Sequence, residues 1–228
     1  MKPSLTVPLA IIAGGIIVAG AVYFSTAGGG AGSGGHPELV RPVGASDHIL
    51  GNPAAPVKIV EYADFDCEFC KTFDGTLHEL IANEGANGQV AWVFREFPLT
   101  EIHPNALARA RAAECVAQVA GNDAFWKFAD ALFANQPVDP ARYGALAAEA
   151  GVSGDAFASC YANAAGSVDA RIAADRQNAL DMGAHGTPYS LILAPGEAPV
   201  VLDGAYSYDA LKGLVDQALA ESSTSPSR

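Results

Sequence analysis

The stretch VKIVEYADFDCEFCKTF, residues 57–73, decides the fold. Its first part, Val57–Tyr62, is rich in apolar and β-branched residues, as is typical of a buried strand. A short acidic loop follows, and then Cys67 and Cys70 stand where a helical pattern that includes Phe73 begins. The sequence therefore predicts two cysteines at the junction between a strand and a helix.

The composition limits the class of protein. A chain of 228 residues can hold one domain of ordinary size with appendages. Half of the residues are apolar and 17% are charged, which favours a packed core over disorder. The net charge of -12 argues against non-specific binding to nucleic acid or to anionic lipid. We therefore expect no nucleic acid among the partners.

The N-terminal residues 1–26 predict a transmembrane anchor or a signal segment. After a basic head, Leu5–Phe24 is an uncharged apolar run of 20 residues, and a helix of that length spans about 30 Å. A cleaved signal has a shorter apolar region and a small-residue cleavage site, for which Ser25–Ala27 could serve. The length favours a retained anchor over a cleaved signal or a buried soluble helix. The basic head then places the rest of the chain on the extracytoplasmic side of the cytoplasmic membrane, in the periplasm or cell exterior, where disulfides persist.

Composition and periodicity divide the remainder into three parts. Residues 27–52 are a Gly/Pro-rich linker with room for one edge strand, residues 53–221 form the folded domain, and residues 222–228 form a polar, disordered tail. Within the domain the pattern is β-α-β, then a block of five helices at about 100–184, then β-β-α. The predicted strands and flanking helices are Val57–Tyr62, Cys67–Ala82, Gln89–Phe97, Tyr189–Ala194, Val200–Leu202 and Ser207–Ala220.

Local signals predict where the five middle helices begin and end. Pro104 suits the first position of the first of them, and Asn122 or Asp123 suits the cap of the second. The remaining signals are Asp139-Pro140 at the start of the third, Ser153 at the cap of the fourth, and Ser167 and Gly183 at the two ends of the fifth.

The spacing of Cys67 and Cys70 brings their sulfur atoms within disulfide reach. At the first turn, Cys67 is expected to point towards solvent and the unpaired amides, which together with the helix dipole stabilise a thiolate. Cys70, one turn deeper, could then resolve a mixed disulfide. The alternatives are a permanent structural disulfide and half of a zinc site. A zinc site would want two further ligands at matched spacing, whereas Cys115 and Cys160 are isolated.

Glu61 lies on the predicted strand, six residues before Cys67. If Val60 and Tyr62 share one face, Glu61 lies on the other, beneath the cysteine helix. A partly desolvated carboxylate there could accept the proton of Cys70 when that thiol attacks. The alternative is an ordinary acid on the surface of a strand.

The sequence Gly186-Thr187-Pro188 precedes a predicted strand. A proline that opens a strand after glycine and threonine suggests a special turn, for which a cis peptide is the first explanation to consider.

Together these features resemble the DsbA-like branch of the thioredoxin superfamily. The matching motifs are Glu61-Tyr62-x4-Cys67-x2-Cys70-x2-Phe73, Gly186-Thr187-Pro188, the five-helix block, Phe97-Pro98-Leu99, His103–Ala106 and Phe125–Phe128. The resemblance covers about residues 53–220. It implies an α/β, thioredoxin-like fold with a helical domain inserted after the β-α-β half.

The resemblance also implies roles for individual residues. Cys67 would be the nucleophile, Cys70 the resolving cysteine and Glu61 the proton relay. The Thr187-Pro188 loop would pack against the redox disulfide, pair with an extended substrate strand and keep metal off the dithiol. No cofactor and no metal are needed. His103 is expected to begin the first inserted helix rather than to act in catalysis.

The branch often has cysteines at the places of Cys115 and Cys160. The resemblance therefore implies a second, structural disulfide between them, and the alternative is a pair of buried free thiols.

The leading hypothesis is a membrane-tethered thiol-disulfide oxidoreductase that donates disulfides to exported, cysteine-containing proteins and is reoxidised by a quinone-linked membrane oxidase. One alternative is a reductase or isomerase kept reduced by a membrane donor, and another is a non-catalytic peptide-binding holdase. The best-known oxidants of the branch carry histidine beside the second cysteine, where this chain has Glu68-Phe69. Because Asp64 and Asp66 add further negative charge near Cys67, we expect a milder oxidant than the strongest members.

Overall fold

A computed structural model describes residues 35–224 of the chain. The predicted membrane or signal segment and most of the glycine-rich tether lie outside these residues, as do residues 225–228. Within residues 35–224, no helix combines the length and the hydropathy that crossing a membrane requires.

Five strands form one mixed sheet. They are β1 (His48–Gly51), β2 (Val57–Ala63), β3 (Val90–Glu96), β4 (Tyr189–Leu193) and β5 (Val200–Asp203). Their order across the sheet is β1-β3-β2-β4-β5, with β2 and β3 parallel and the other pairs antiparallel. The central position of β2 explains its nearly continuous apolar sequence, because a central strand is buried on both faces.

Seven α-helices accompany the sheet in the described part of the chain. They are α1 (Glu68–Asn83), α2 (Ala106–Ala120), α3 (Asn122–Ala134), α4 (Tyr143–Glu149), α5 (Gly154–Ala162), α6 (Ser167–Asp181) and α7 (Tyr208–Thr224). The predicted β-α-β half, the five-helix insertion and the β-β-α end are all confirmed. Asp139 caps a short 3₁₀ helix, Pro140–Arg142, that leads into α4, and Ser153 caps α5 as predicted.

The two faces of the sheet carry separate apolar cores. Ile59 and Trp92 lie on the face that belongs to the larger core, with Phe73 of α1 and much of the insertion. Val60 and Tyr62 lie on the opposite face, in a smaller core with residues at the end of α6. The predicted alternation of β2 is thereby confirmed, and it places Glu61 on the same face as the cysteine helix.

A disulfide joins Cys115 of α2 to Cys160 of α5. The two cysteines are 45 positions apart, and closing a loop of that length is worth about 4 kcal/mol in the chain-entropy model. This bond is the one that the resemblance implied, and it excludes the alternative of two free thiols in this structure.

The structure corrects both ends of the predicted domain. Strand β1, at the edge of the sheet, is the edge strand that the sequence allowed within residues 27–52. The 3₁₀ helix at Pro37–Leu39 shows that the rest of this segment is not a linker throughout. At the other end, α7 extends to Thr224, so residues 222–224 are helical and not part of a disordered tail.

Two predicted helix starts also change. Pro104 does not occupy the first helical position, because α2 begins at Ala106 after Asn105. Asn122 is the first residue of α3 and not its cap. Its side chain instead accepts a hydrogen bond from the backbone N–H of Ile49 and donates one to the Ile49 carbonyl, which attaches β1 to the helical insertion.

Candidate active site

The loop between β2 and α1 is shaped by Asp64. Its Oδ1 accepts a hydrogen bond from the Asp66 N–H at 2.7 Å, and its carbonyl accepts one from the Cys67 N–H at 3.1 Å. The chain therefore turns tightly and leaves Cys67 at the cap position of α1, with extended backbone angles. Cys70 follows within the first turn of the helix, on the side that faces the sheet.

Cys67 is less exposed than the sequence suggested. It was expected to point towards solvent, but only 6% of the residue is accessible, because the loop that contains Thr187 lies across it. The Sγ atom of Cys67 donates a hydrogen bond to the Thr187 carbonyl oxygen at 3.3 Å.

The pKa of Cys67 is lowered to about 6. The largest cause is a hydrogen bond with the side chain of Cys70, which outweighs the opposing effect of burial, and hydrogen bonds with the backbone of Cys70 and Phe69 lower the pKa further. Backbone amides at a helix start favour a thiolate for the same reason that they favour other anions. A large fraction of Cys67 is therefore thiolate at neutral pH.

Cys70 differs sharply from its neighbour. It is fully buried, and burial raises the pKa of its thiol well above the usual value. The hydrogen bond with Cys67 and the negative charges of Glu61 and Cys67 act in the same direction. Both sulfur atoms are free thiols in this structure. One cysteine is thus prepared as a nucleophile, and the other needs a base before it can react.

Glu61 lies beneath these cysteines with 1% of its surface exposed, so it is not a surface acid. Burial raises its pKa well above the usual range, and the charges of Asp74 and Cys67 raise it further. The indole Nε1–H of Trp92 donates to Oε2 at 3.0 Å and partly offsets this rise. A carboxyl group whose pKa is raised in this way binds a proton more readily than a surface acid and can exchange it with Cys70.

The Thr187–Pro188 peptide bond is cis, as the sequence suggested. The loop forms one wall of a cavity of about 490 Å³ beside Cys67. Two large apolar side chains that line the same cavity are strongly exposed, Phe69 at 60% and Ile102 at 67%. An open, partly apolar groove therefore leads directly to the sulfur of Cys67.

The acids of the cysteine loop are paired with basic side chains from the helical insertion and its approach. Asp64 Oδ2 lies 2.9 Å from His103 Nδ1, and Asp66 forms an ion pair with the buried Arg109 of α2. From the sequence alone, both acids are expected to add negative charge that disfavours a thiolate at Cys67. These contacts offset that charge, so the expectation of a mild oxidant now rests on Glu68-Phe69, and measuring the redox potential tests it. His103 precedes α2 and contacts Asp64 of the active-site loop, and the sequence did not predict this contact.

Other parts of the site were also missed. The sequence places Trp92 on a strand but does not predict its hydrogen bond to Glu61. It places Arg109 in an alanine-rich helix but does not predict its ion pair with Asp66. A buried arginine among small apolar residues is a usable signal, because such a charge requires a partner.

Elsewhere in residues 35–224, ligand atoms of Asp74, His78 and Asp130 lie within 4.8 Å of one another and could hold a metal ion. The structural disulfide Cys115–Cys160 does not line the groove beside Cys67.

Comparison with known proteins defines the family. A family model described as "Thioredoxin" matches residues 45–217. The chain belongs to the thioredoxin family. Pseudomonas aeruginosa DsbA2 has a similar structure, with 25% sequence identity and a TM-score of 0.64 over 78% of this chain and 96% of that one. Wolbachia pipientis alpha-DsbA1 shares the fold at 22% identity, with a TM-score of 0.69 over 82% of this chain and 96% of that one. The fold of this thioredoxin-family chain is accordingly DsbA-like.

Curated relatives of this thioredoxin-family chain are much longer proteins. A Na(+)/H(+) antiporter NhaA 1 of Salinispora arenicola is 32% identical over 185 residues, which are 80% of this chain and 26% of that protein. A Na(+)/H(+) antiporter NhaA 1 of Mycolicibacterium gilvum is 39% identical over 100 residues, which are 43% of this chain and 15% of that protein. The name antiporter describes those whole proteins, of which this chain matches a minor part.

Proposed function

We propose that this chain is an extracytoplasmic thiol-disulfide oxidoreductase that exchanges disulfides with exported proteins through Cys67 and Cys70. The observation that carries the proposal is the opposite tuning of the two thiols. Cys67 lies beside an open groove and its pKa is lowered to about 6. Cys70 lies over Glu61, and burial raises the pKa of its thiol. A permanent structural disulfide needs no such asymmetry, but an exchange reaction does.

In the donating direction, a substrate thiolate attacks Cys67 Sγ of the oxidised protein. The new bond joins the substrate sulfur to Cys67, the Cys67–Cys70 bond breaks, and Cys70 leaves as a thiolate that takes the proton of Glu61. A second substrate thiolate then attacks the substrate sulfur, which forms the substrate disulfide and releases Cys67 as a thiolate. Two electrons pass from the substrate to the protein.

The groove provides the means of holding a substrate. An extended peptide could pair with backbone groups of the Thr187 loop while an apolar side chain packs between Phe69 and Ile102. Backbone pairing is largely independent of sequence, which suits an enzyme that acts on many unfolded proteins.

The N-terminal sequence supports the proposed cellular setting. The apolar run Leu5–Phe24 would hold the domain on the outer side of the cytoplasmic membrane, and the Cys115–Cys160 bond is stable in an oxidising compartment. A membrane redox partner, of the quinone-linked oxidase type, would reoxidise the dithiol. The chemistry uses no bound cofactor.

Reduction of insulin by dithiothreitol, with and without the full-length protein in detergent, tests the activity. We expect the protein to accelerate the reaction, Cys67→Ser to abolish the acceleration, and Cys70→Ser to accumulate a mixed disulfide that a reducing agent releases. If Cys67→Ser left the activity unchanged, exchange at this site would be refuted. Suppression of client aggregation that survived in Cys67→Ser would instead support a holdase.

Thiol trapping in intact cells tests the direction of electron flow. Acid quenching followed by alkylation distinguishes the oxidised from the reduced Cys67–Cys70 pair, and Cys67→Ser/Cys70→Ser gives the reference mobility. We expect a mainly oxidised pair, as donation of disulfides requires. A mainly reduced pair would contradict donation and indicate a reductase or isomerase.

A further inference from the structure

A histidine and an aspartate form a hydrogen-bonded pair beside the groove that leads to Cys67. His103 Nδ1 lies 2.9 Å from Asp64 Oδ2, and the Asp64 side chain is fully buried, whereas 23% of the His103 side chain is exposed. Asp64 Oδ2 also accepts the Leu99 N–H at 2.8 Å, and Oδ1 accepts the Asp66 N–H at 2.7 Å. Because both oxygens of the carboxylate act as acceptors, Nδ1 of His103 is the donor and carries the ring proton.

The other ring nitrogen of His103, Nε2, is free to accept a proton. Because Nδ1 is turned towards a buried group, the exposed part of the ring includes the edge on which Nε2 lies. The only hydrogen bond of this ring to another described residue is the one to Asp64. His103 and Cys67 line the same cavity of about 490 Å³. A carboxylate behind Nδ1 and an open Nε2 in front is the arrangement in which a histidine serves as a general base.

A second histidine lines the cavity, but it lacks this arrangement. His185 is exposed, and among residues 35–224 no carboxylate lies within ion-pair distance of its ring. The remaining acids of the cavity, Asp66 and Glu68, carry negative charge that disfavours a second anion beside them. Glu61 lies beneath the cysteine helix and does not line the cavity. His103 is therefore the oriented base on the side from which a substrate approaches.

The exchange reaction needs such a base. A cysteine thiol has an ordinary pKa of about 8.5, so only about 3% of it is thiolate at pH 7, and only the thiolate attacks a disulfide. A neighbouring imidazole raises that fraction, because the thiolate and the imidazolium stabilise each other. Complete ionisation of the substrate thiol in the groove would accelerate its attack by at most about 30-fold at pH 7.

We propose that His103 is the catalytic base that takes the proton of an incoming substrate thiol, and that Asp64 orients it. The inference rests on the exchange function proposed above for Cys67 and Cys70. In the donating direction the substrate S–H bond breaks and its proton goes to Nε2. Its electron pair forms the bond to Cys67 Sγ while the Cys67–Cys70 bond breaks. The Asp64 carboxylate balances the imidazolium, which passes its proton to water through the open groove.

His103→Asn separates the base from a structural role. The amide Nδ2 of asparagine can replace Nδ1 as the donor to Asp64, but the variant has no counterpart of Nε2. The oxidised full-length protein in detergent is mixed either with a cysteine-containing peptide or with an aryl thiol that is already ionised at pH 7. Acid quenching and alkylation follow the loss of the Cys67–Cys70 disulfide. At pH 7 we expect the variant to react about tenfold more slowly than the wild type with the peptide and equally fast with the aryl thiolate, which brings no proton. At pH 9 the difference should disappear, because the peptide thiol ionises unaided.

The control is His36→Asn, which changes an exposed histidine that does not line the cavity and should leave both rates unchanged. Equal rates of wild type and folded His103→Asn with the peptide at pH 7 would overturn the proposal. Equal slowing with both thiols would also overturn it, because a structural defect does not distinguish a thiol from a thiolate. If the variant failed to fold, the wild type alone decides. A rate that fell tenfold for each pH unit below 8.5 would show attack by free thiolate only, whereas we expect a shallower fall. Absence of a Cys67-dependent reaction even with the aryl thiolate would instead refute the exchange function.

Discussion

Cys67 and Cys70 differ in their chemistry because Cys67 occupies the cap position of α1, whereas Cys70 lies within the helix. Cys67 stands just outside α1, where backbone amides have no carbonyl partner, and Cys70 stands within the helix against the sheet. The first environment stabilises a negative sulfur and the second disfavours one. The reactive asymmetry therefore comes from the place of each thiol on the helix, and the residues between them, Glu68 and Phe69, adjust it.

The lowered pKa of Cys67 predicts how stability depends on pH in the reduced protein. The folded state holds the thiolate from about pH 6, whereas the unfolded state binds the proton until its usual value of about 9. The unfolded state thus binds more protons between these values, so the thiolate stabilises the fold increasingly as pH rises, and the gain is lost as pH falls through about 6. The gain is about 1.4 kcal/mol for each pH unit above 6, up to pH 9.

Urea unfolding under reducing conditions at pH 5, 7 and 8 measures this effect. We expect the difference in unfolding free energy between wild type and Cys67→Ser to be small at pH 5 and to favour the wild type progressively at pH 7 and 8. Cys67→Ser is itself the control, because it lacks the thiol whose lowered pKa produces the effect. A difference that stayed constant across the three pH values would contradict a thiolate at Cys67.

At the scale of elements, the sequence predicts those parts whose pattern follows directly from burial. Strand β2 is central and apolar on both faces, and α1 places apolar residues at helical spacing, so both could be located within one or two residues. The five inserted helices follow the same logic. Strand β1 has four residues at the edge of the sheet, and its short, weakly apolar sequence carries no comparable signal.

The polar contacts between elements could not be predicted in this way. Asn122 looks like a helix cap, but its side chain binds the backbone of Ile49 in a strand 73 residues earlier. Asp66 and Arg109 likewise pair from separate elements. Each residue type fits several local roles, and only the packing of distant segments selects one. The candidate site is therefore predictable in its cysteines, in Glu61 and in Pro188, and not in the basic side chains that pair with its acids.

At the scale of the whole molecule, the described residues that precede β1 cover the face of the sheet on which Tyr62 lies. Arg95 of β3 is fully buried, and its guanidinium donates to Asp47 at 2.9 Å, to the Arg41 carbonyl at 3.1 Å and to the Tyr62 hydroxyl at 2.7 Å. Asp47 and Arg41 belong to the residues that the sequence assigned to a linker. A buried charge requires such partners, so these residues are part of the domain although their composition resembles a tether.

A comparison of two truncated chains tests this conclusion. A chain that begins at Gly35 retains every partner of Arg95, whereas one that begins at Pro53 loses β1, Asp47 and the Arg41 carbonyl and leaves the guanidinium with Tyr62 alone. We expect the shorter chain to lose at least 3–5 kcal/mol of unfolding free energy, roughly the cost of removing one partner from a buried ion pair. Urea unfolding of both chains measures the difference. Arg95→Met in the shorter chain serves as the matched control, because it removes the unpaired charge while keeping an apolar stem, and it should recover part of the loss. Equal stability of the two chains would show instead that water satisfies Arg95 and that the domain begins where the sequence pattern placed it.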